Sequence, residues 1–103
     1  MHAARSLFAA DRYSAKKMSK PVTFVCLAPA AKEVYLTGEF NGWEQRTHPM
    51  HRQPDGAWFL QVALHHGHHQ YRFLVDGRPV LDPRAQGVAR DGQGERASLL
   101  AVS

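Results

Sequence analysis

The segment Gly38-Glu39-Phe40-Asn41-Gly42-Trp43 places an indole directly after Asn41-Gly42, a dipeptide that favours positive φ and a sharp reversal. An aromatic ring at a loop tip offers a flat apolar face, which is the chemistry of recognition and makes no covalent bond. Planar donors come from Arg72, which alternation along Gln70 to Val75 puts on the face opposite Tyr71, Phe73 and Val75. Glu39 and Asn41 add polar groups close by. A second concentration of reactive side chains is His65-His66-Gly67-His68-His69. Histidines facing each other across a hairpin approach to about 5 Å, so two of them can hold part of a zinc or copper site. A closed site wants four ligands, Cys26 sits inside an apolar run, and no acidic residue flanks the cluster. A hydrophilic turn therefore accounts for the histidines better, with metal binding a minor alternative and no cofactor expected.

The chain has no nucleophile elbow, phosphate-cradling glycine loop or metalloprotease motif. A glycoside-cleaving pair of carboxylates would have to come from Glu39, Glu44, Asp76 or Asp82, and no spacing forces two of them together across a cleft. The expectation is a binding module and not an enzyme.

These side chains need a rigid frame. A chain of 103 residues, 44% hydrophobic, has apolar material for a single core and too little length for two. From Val22 onward, runs of β-branched and aromatic residues are separated by turn residues at short intervals, the pattern of an antiparallel sandwich. Strands are predicted at residues 22–27, 33–37, 49–52, 58–64, 70–75, 79–81 and 97–102. Pro54-Asp55-Gly56 and Asp76-Gly77 are hairpin turns, the second of the primed type, and His65 to His68 would make a third. Along residues 58–64 the set Trp58, Leu60, Val62 and Leu64 faces the core, so Trp58 is structural; Phe40 is also expected inside. Residues 82–96, with Pro83, Gly87, Gly92 and Gly94, are predicted to be a long loop, a type often used for function.

The charge belongs elsewhere. Residues 1–20 carry Arg5, Arg12, Lys16, Lys17 and Lys20 against Asp11, which accounts for the whole formal charge of +4 and leaves residues 21–103 balanced. That distribution describes a basic leader in front of a neutral domain and argues against a nucleic-acid partner. Residues 6–18 are rich in helix formers and end on cations, so the leader is predicted to be a short helix that docks through Leu7, Phe8 or Tyr13, or else to be disordered. Its apolar stretch is stopped by Asp11-Arg12, too short for a secretory signal, and no run is long enough to span a membrane. One cysteine, without an intrachain partner, suits the reducing cytoplasm.

Three segments together, Val34 to Trp43, His69 to Gly77 and Asp82-Pro83, resemble the glycogen-binding domain of AMP-activated protein kinase β subunits. That domain is a family 48 carbohydrate-binding module, related to the early-set domain that precedes isoamylases and branching enzymes. The resemblance covers residues 21–103 and extends best to small bacterial proteins in which the module stands nearly alone. It implies an all-β, immunoglobulin-like early-set sandwich that binds α-1,4-glucans such as glycogen without cleaving them. Residue by residue, Trp43 matches the first stacking tryptophan and Arg72 a lysine that bonds sugar hydroxyls. Pro79 stands where the family has a second stacking tryptophan, and a sugar-binding asparagine aligns with Ala97 or Ser98.

A glucan site of this kind combines an aromatic face for the apolar side of a pyranose with polar groups for its rim, here Trp43 with Arg72, Asn41, Glu39, Pro79 and Ser98. About 100 Å² of one indole face, at about 25 cal/mol per Å², is worth about 2.5 kcal/mol before the cost of association. A millimolar complex already needs about 4 kcal/mol. Binding to a short oligosaccharide is thus expected to be weak, unless Pro79 and the 82–96 segment supply a second wall. The alternative is an interaction module of the same fold that has lost sugar binding and docks to a protein partner in glycogen metabolism or signalling.

Overall fold

The computed structural model describes residues 19–103, so the helix expected over residues 6–18 lies outside the described residues. The described chain is built from eight strands: β1 (Ser19–Leu27), β2 (Val34–Gly38), β3 (His51–Arg52), β4 (Ala57–His65), β5 (Gly67–Val75), β6 (Arg78–Val80), β7 (Gly87–Arg90) and β8 (Arg96–Val102). They form two antiparallel sheets packed as a sandwich, one in the order β1-β4-β3 and the other in the order β2-β5-β8-β7. Strand β6 shares an edge of β5 with β8, pairing at Phe73 to Val75 while β8 pairs at Gly67 to Tyr71. The arrangement is the early-set, immunoglobulin-like sandwich that the sequence implies.

Alternation explains which side of each sheet is dry. In β4, Trp58 and Leu64 are buried and Leu60 and Val62 pack against the core, while Gln61 and Ala63 are exposed. In β5 Tyr71, Phe73 and Val75 are buried on the core side, and Leu74 is buried on the opposite side. Phe24 of β1 meets Tyr71 of β5 edge to face, with centroids 4.9 Å apart, and this contact joins the two sheets. Trp58 is 6% exposed and its indole N–H donates to the Ala28 carbonyl at 2.9 Å, so it is structural as expected. Phe40 covers the open end of this core, partly buried, against Phe24 and His48. Cys26 is a buried member of the core; burial and the nearby Asp82 push its thiol pKa up, which suppresses the reactive thiolate.

Two of the predicted turns form hairpins. Gln53 to Ala57 closes β3 onto β4, and Asp76-Gly77, with φ of 49° and 83°, closes β5 onto β6 in the doubly positive geometry of a primed turn. The third does not. His65 to His68 lies between β4 and β5, which belong to different sheets, so this corner carries the chain across the sandwich instead of closing a hairpin. The 82–96 segment also departs from the expected loop, because Gly87–Arg90 forms β7 and pairs with β8. Its brevity, and the exposure of Val88 on an outer edge, left little periodicity to detect.

Candidate functional site

The loop after β2 is shaped by Gly38. Its φ of −172° is ordinary extended backbone, but a Cβ there would lie 2.5 Å from the Phe40 ring and 2.6 Å from the Gln70 carbonyl oxygen. Only a bare Cα lets the chain pass so close to β5. A single 3₁₀ turn, Glu39–Asn41, follows. Asn41 then fastens the loop: its Oδ1 accepts the Gly38 N–H at 3.1 Å, and its Nδ2 lies within hydrogen-bond reach of the Leu36 carbonyl and His48 Nδ1. The reversal expected of Asn41-Gly42 falls one residue later, with Gly42 at φ 66° and Trp43 itself at φ 61°. The Trp43 N–H returns to the Gly38 carbonyl at 2.8 Å. A tryptophan in the left-handed region is sterically costly, and such outliers concentrate at functional positions.

The indole lands on Arg72. The guanidinium carbon lies 4.4 Å from the ring centroid, a cation–π stack between the loop and the middle of β5. The same guanidinium donates from Nη2 to Asp91 Oδ2 at 2.7 Å and from Nη1 to the Arg96 carbonyl at 2.9 Å. Asp91 is held in turn by the β7–β8 turn, where its Oδ1 accepts the N–H groups of Gln93 and Glu95, both at 2.9 Å. Side-chain exposures of 15% for Arg72 and 9% for Asp91 make this a shielded pair. Burial alone would raise the Asp91 carboxyl, but the two backbone N–H bonds and Arg72 outweigh it and hold its pKa below the usual carboxylate range.

Trp43, Arg72 and Pro79 thus line one groove of about 570 Å³, walled by Asp91, Gly92, Gln93 and Glu95 and floored by Thr37 and Leu74. A further depression of about 340 Å³ shares Arg72, Pro79, Glu95 and Arg96 with it and continues toward Val80 and Leu81. The surface is long, open and equipped with one aromatic face, one proline face and charged rims. Such a surface suits an extended polar ligand with an apolar side.

The remaining predicted contacts fall elsewhere. Asn41 is occupied by the loop bonds just described. Glu39 accepts the Gln70 N–H at 3.2 Å and lines a separate depression with Phe40, Ala63 and His69. Ser98 is 0% exposed and faces inward, because it pairs in register with the buried Tyr71 and its Oγ accepts the Asp82 N–H at 2.8 Å. Ala97, next along the strand, is also 0% exposed and does not line the groove. Asp82 also accepts the Tyr71 hydroxyl at 2.6 Å; burial first, then this bond and the carboxylate charge, raise the Tyr71 pKa.

The sequence reading missed Asp91, Leu74 and Thr37. For Asp91 a signal was present, since Asp91-Gly92 is turn chemistry, but nothing local shows that the turn reaches Arg72. Asp76, read as turn chemistry alone, also ties its hairpin to the β1–β2 connection by accepting the N–H groups of Lys32 and Glu33, both at 2.9 Å. At the histidine corner, His69 Nε2 lies 2.8 Å from the His65 carbonyl oxygen. Among the described residues no three His, Cys, Asp or Glu side chains converge to hold a metal ion.

Residues 21–103 match the family model of the glycogen recognition site of AMP-activated protein kinase. The chain is 37% identical over 85 residues to a 1,4-alpha-glucan branching enzyme of Xanthomonas campestris pv. campestris, covering 80% of this chain and 11% of the relative. It is 40% identical over 73 residues to a 1,4-alpha-glucan branching enzyme of Burkholderia cenocepacia, covering 67% of this chain and 10% of the relative. The chain therefore spans about a tenth of the length of the curated relatives it matches.

Proposed function

This chain belongs to the family of the AMP-activated protein kinase glycogen recognition site, a family of non-catalytic carbohydrate-binding modules, and on that premise we propose that its groove binds α-1,4-linked glucan. The observation that carries the proposal is the convergence of Trp43, Arg72 and Pro79 on one groove. A pyranose laid on the indole covers an apolar face, while the Arg72 donors and the Asp91 acceptor lie beside it for the hydroxyls. The similarity to enzymes named for 1,4-alpha-glucan supports that linkage.

The groove is built to hold and not to cleave. Glycoside hydrolysis needs one carboxylic acid kept protonated by a raised pKa. Asp91 is the opposite case, locked in its ionised form by Arg72 and two backbone N–H groups. With one tryptophan face and a proline, affinity for a single short chain is in the millimolar range, and a polymer particle presents many such chains at high local concentration. We place the protein in the cytoplasm, where its buried single cysteine stays reduced.

Co-sedimentation with glycogen tests this reading. The protein should pellet with glycogen and be released by excess maltoheptaose. A protein that stays in the supernatant at all glycogen concentrations would overturn it. The docking-module alternative has less support, because the family match is to a glycogen recognition site.

A further inference from the structure

We propose that the depression adjoining the groove is a subsite for a phosphate monoester carried on the glucan, with Arg90 and Arg96 as its donors; the inference rests on the glucan reading above. Strand β8 follows the edge of β5 as far as Tyr71, and β6 takes that edge over from Phe73, so the two strands part beside Arg72. The depression of about 340 Å³ is lined by Arg90 of β7 and Arg96 of β8, and by Pro79 and Val80 of β6. It has Arg72, Pro79 and Arg96 in common with the groove, so a sugar chain lying on Trp43 can continue into it.

Arg90 stands directly opposite Arg96 in the β7–β8 register. Residues so placed have Cβ atoms about 5 Å apart on one face, and like charges there repel. Among the described residues neither arginine has a carboxylate within ion-pair distance. Arg90 gives one N–H to the Gly94 carbonyl at 2.6 Å, and the Arg96 side chain has no hydrogen-bond partner among the described residues. Both side chains are exposed, so their donors are within reach of a ligand. The Asp91 carboxylate is already engaged by Arg72, which leaves two arginines against the single carboxylate of Glu95 in a domain whose overall charge is balanced. Folding alone gains nothing from such a pair. An anion between the two guanidinium groups turns the repulsion into attraction, and phosphate oxygens match their planar forks. Continuity with the groove ties that anion to the sugar, and an ester on the C6 hydroxymethyl projects furthest from the pyranose ring.

The test measures, by calorimetry, the affinity of the unaltered protein, Arg96→Gln and Arg96→Lys for maltoheptaose, for maltoheptaose bearing one phosphate on a glucose C6, and for inorganic phosphate. Thermal unfolding is followed on the same samples. The unaltered protein should bind the phosphorylated oligosaccharide about fivefold more tightly than the plain one, the upper range of an exposed ion pair. In Arg96→Gln the two should bind within about twofold of each other, on the same scale, with a melting temperature equal to the parent's or higher. Arg96→Lys keeps the charge without the fork and should fall between them. If neither oligosaccharide binds the parent, the glucan reading falls and this inference with it. If both bind the parent equally, or Arg96→Gln keeps the full preference, only the phosphate subsite is overturned. Inorganic phosphate binding as tightly as the phosphorylated oligosaccharide would make this a site for free anions and overturn its assignment to the glucan. Loss of the preference together with a lowered melting temperature would assign Arg96 to the fold and overturn the inference as well.

Discussion

The Arg72 guanidinium carbon sits 4.4 Å from the centroid of the Trp43 ring, and Trp43 reaches this position only by holding a backbone φ of 61°. A stack between a loop and a strand is thereby bought with backbone strain, and the strain falls on the residue that presents the groove's aromatic face. Arg72 is fixed from the other side by Asp91 and the Arg96 carbonyl. The platform is preorganised before any ligand arrives, which limits the ordering cost of binding.

Trp43→Gly should therefore separate stability from recognition. Glycine relieves a left-handed conformation that costs an ordinary residue roughly 1–2 kcal/mol, while losing a cation–π contact worth about 0.5–1 kcal/mol. Urea unfolding should show Trp43→Gly at least as stable as the parent, and about 1 kcal/mol more stable than Trp43→Ala. Both variants should lose glycogen in co-sedimentation. A large loss of stability in Trp43→Gly would mean that the indole is a packing residue.

Pro79→Trp should strengthen binding. Pro79 is exposed at the groove on β6, in register with Leu74, and offers less apolar area than an indole. A second aromatic face there should raise maltoheptaose affinity about tenfold, after ordering costs are taken from its gross contact energy. Unchanged affinity would show that sugar does not reach this wall.

Gly38→Ala should damage the loop without touching its chemistry. The added methyl would stand 2.5 Å from the Phe40 ring and 2.6 Å from the Gln70 carbonyl, and backbone must move to admit it. A loss of about 1–3 kcal/mol in denaturant unfolding is expected, as for overpacked sites.

Two carboxylates predict the acid limb of stability. The Asp76 pKa is lowered by the N–H bonds from Glu33 and Lys32, and that of Asp91 is lowered because its N–H bonds and Arg72 outweigh the effect of burial. A group with a depressed folded pKa stabilises above its unfolded value, about 3.9, and that stabilisation is lost as pH falls through the folded value. Stability should thus fall on acidification below about pH 4, where the unfolded chain binds more protons. Asp76→Asn should flatten that fall, as read from urea midpoints measured between neutral and acid pH.

The sandwich was legible because its strands are amphipathic with period two and its turns carry glycine, proline and aspartate. Trp58, Leu64, Tyr71 and Phe73 went where alternation sends them. Trp43 and Arg72 could be paired because they stood in two recognisable segments. Ser98 lies away from the groove because its register with the buried Tyr71 turns it inward, and its neighbour Ala97 is equally buried. Asp91 was invisible for a different reason: its partner Arg72 lies 19 positions away in sequence, and it takes the pairing of β8 with both β7 and β5 to bring them to 2.7 Å. The histidine corner was read as a hairpin because its composition is that of a turn, while the choice of sheet for β5 is made by long-range pairing with β2 and β8.

The most direct measurement is a titration with maltoheptaose followed by intrinsic fluorescence. The chain has two tryptophans, and Trp58 is buried with its indole N–H bonded to Ala28, so a ligand-induced change reports Trp43. A saturable change is predicted for the parent and none for Trp43→Ala. No saturable change up to about 10 mM, which bounds the binding energy below about 3 kcal/mol, or an unaltered titration in Trp43→Ala, would contradict a glucan site at this groove.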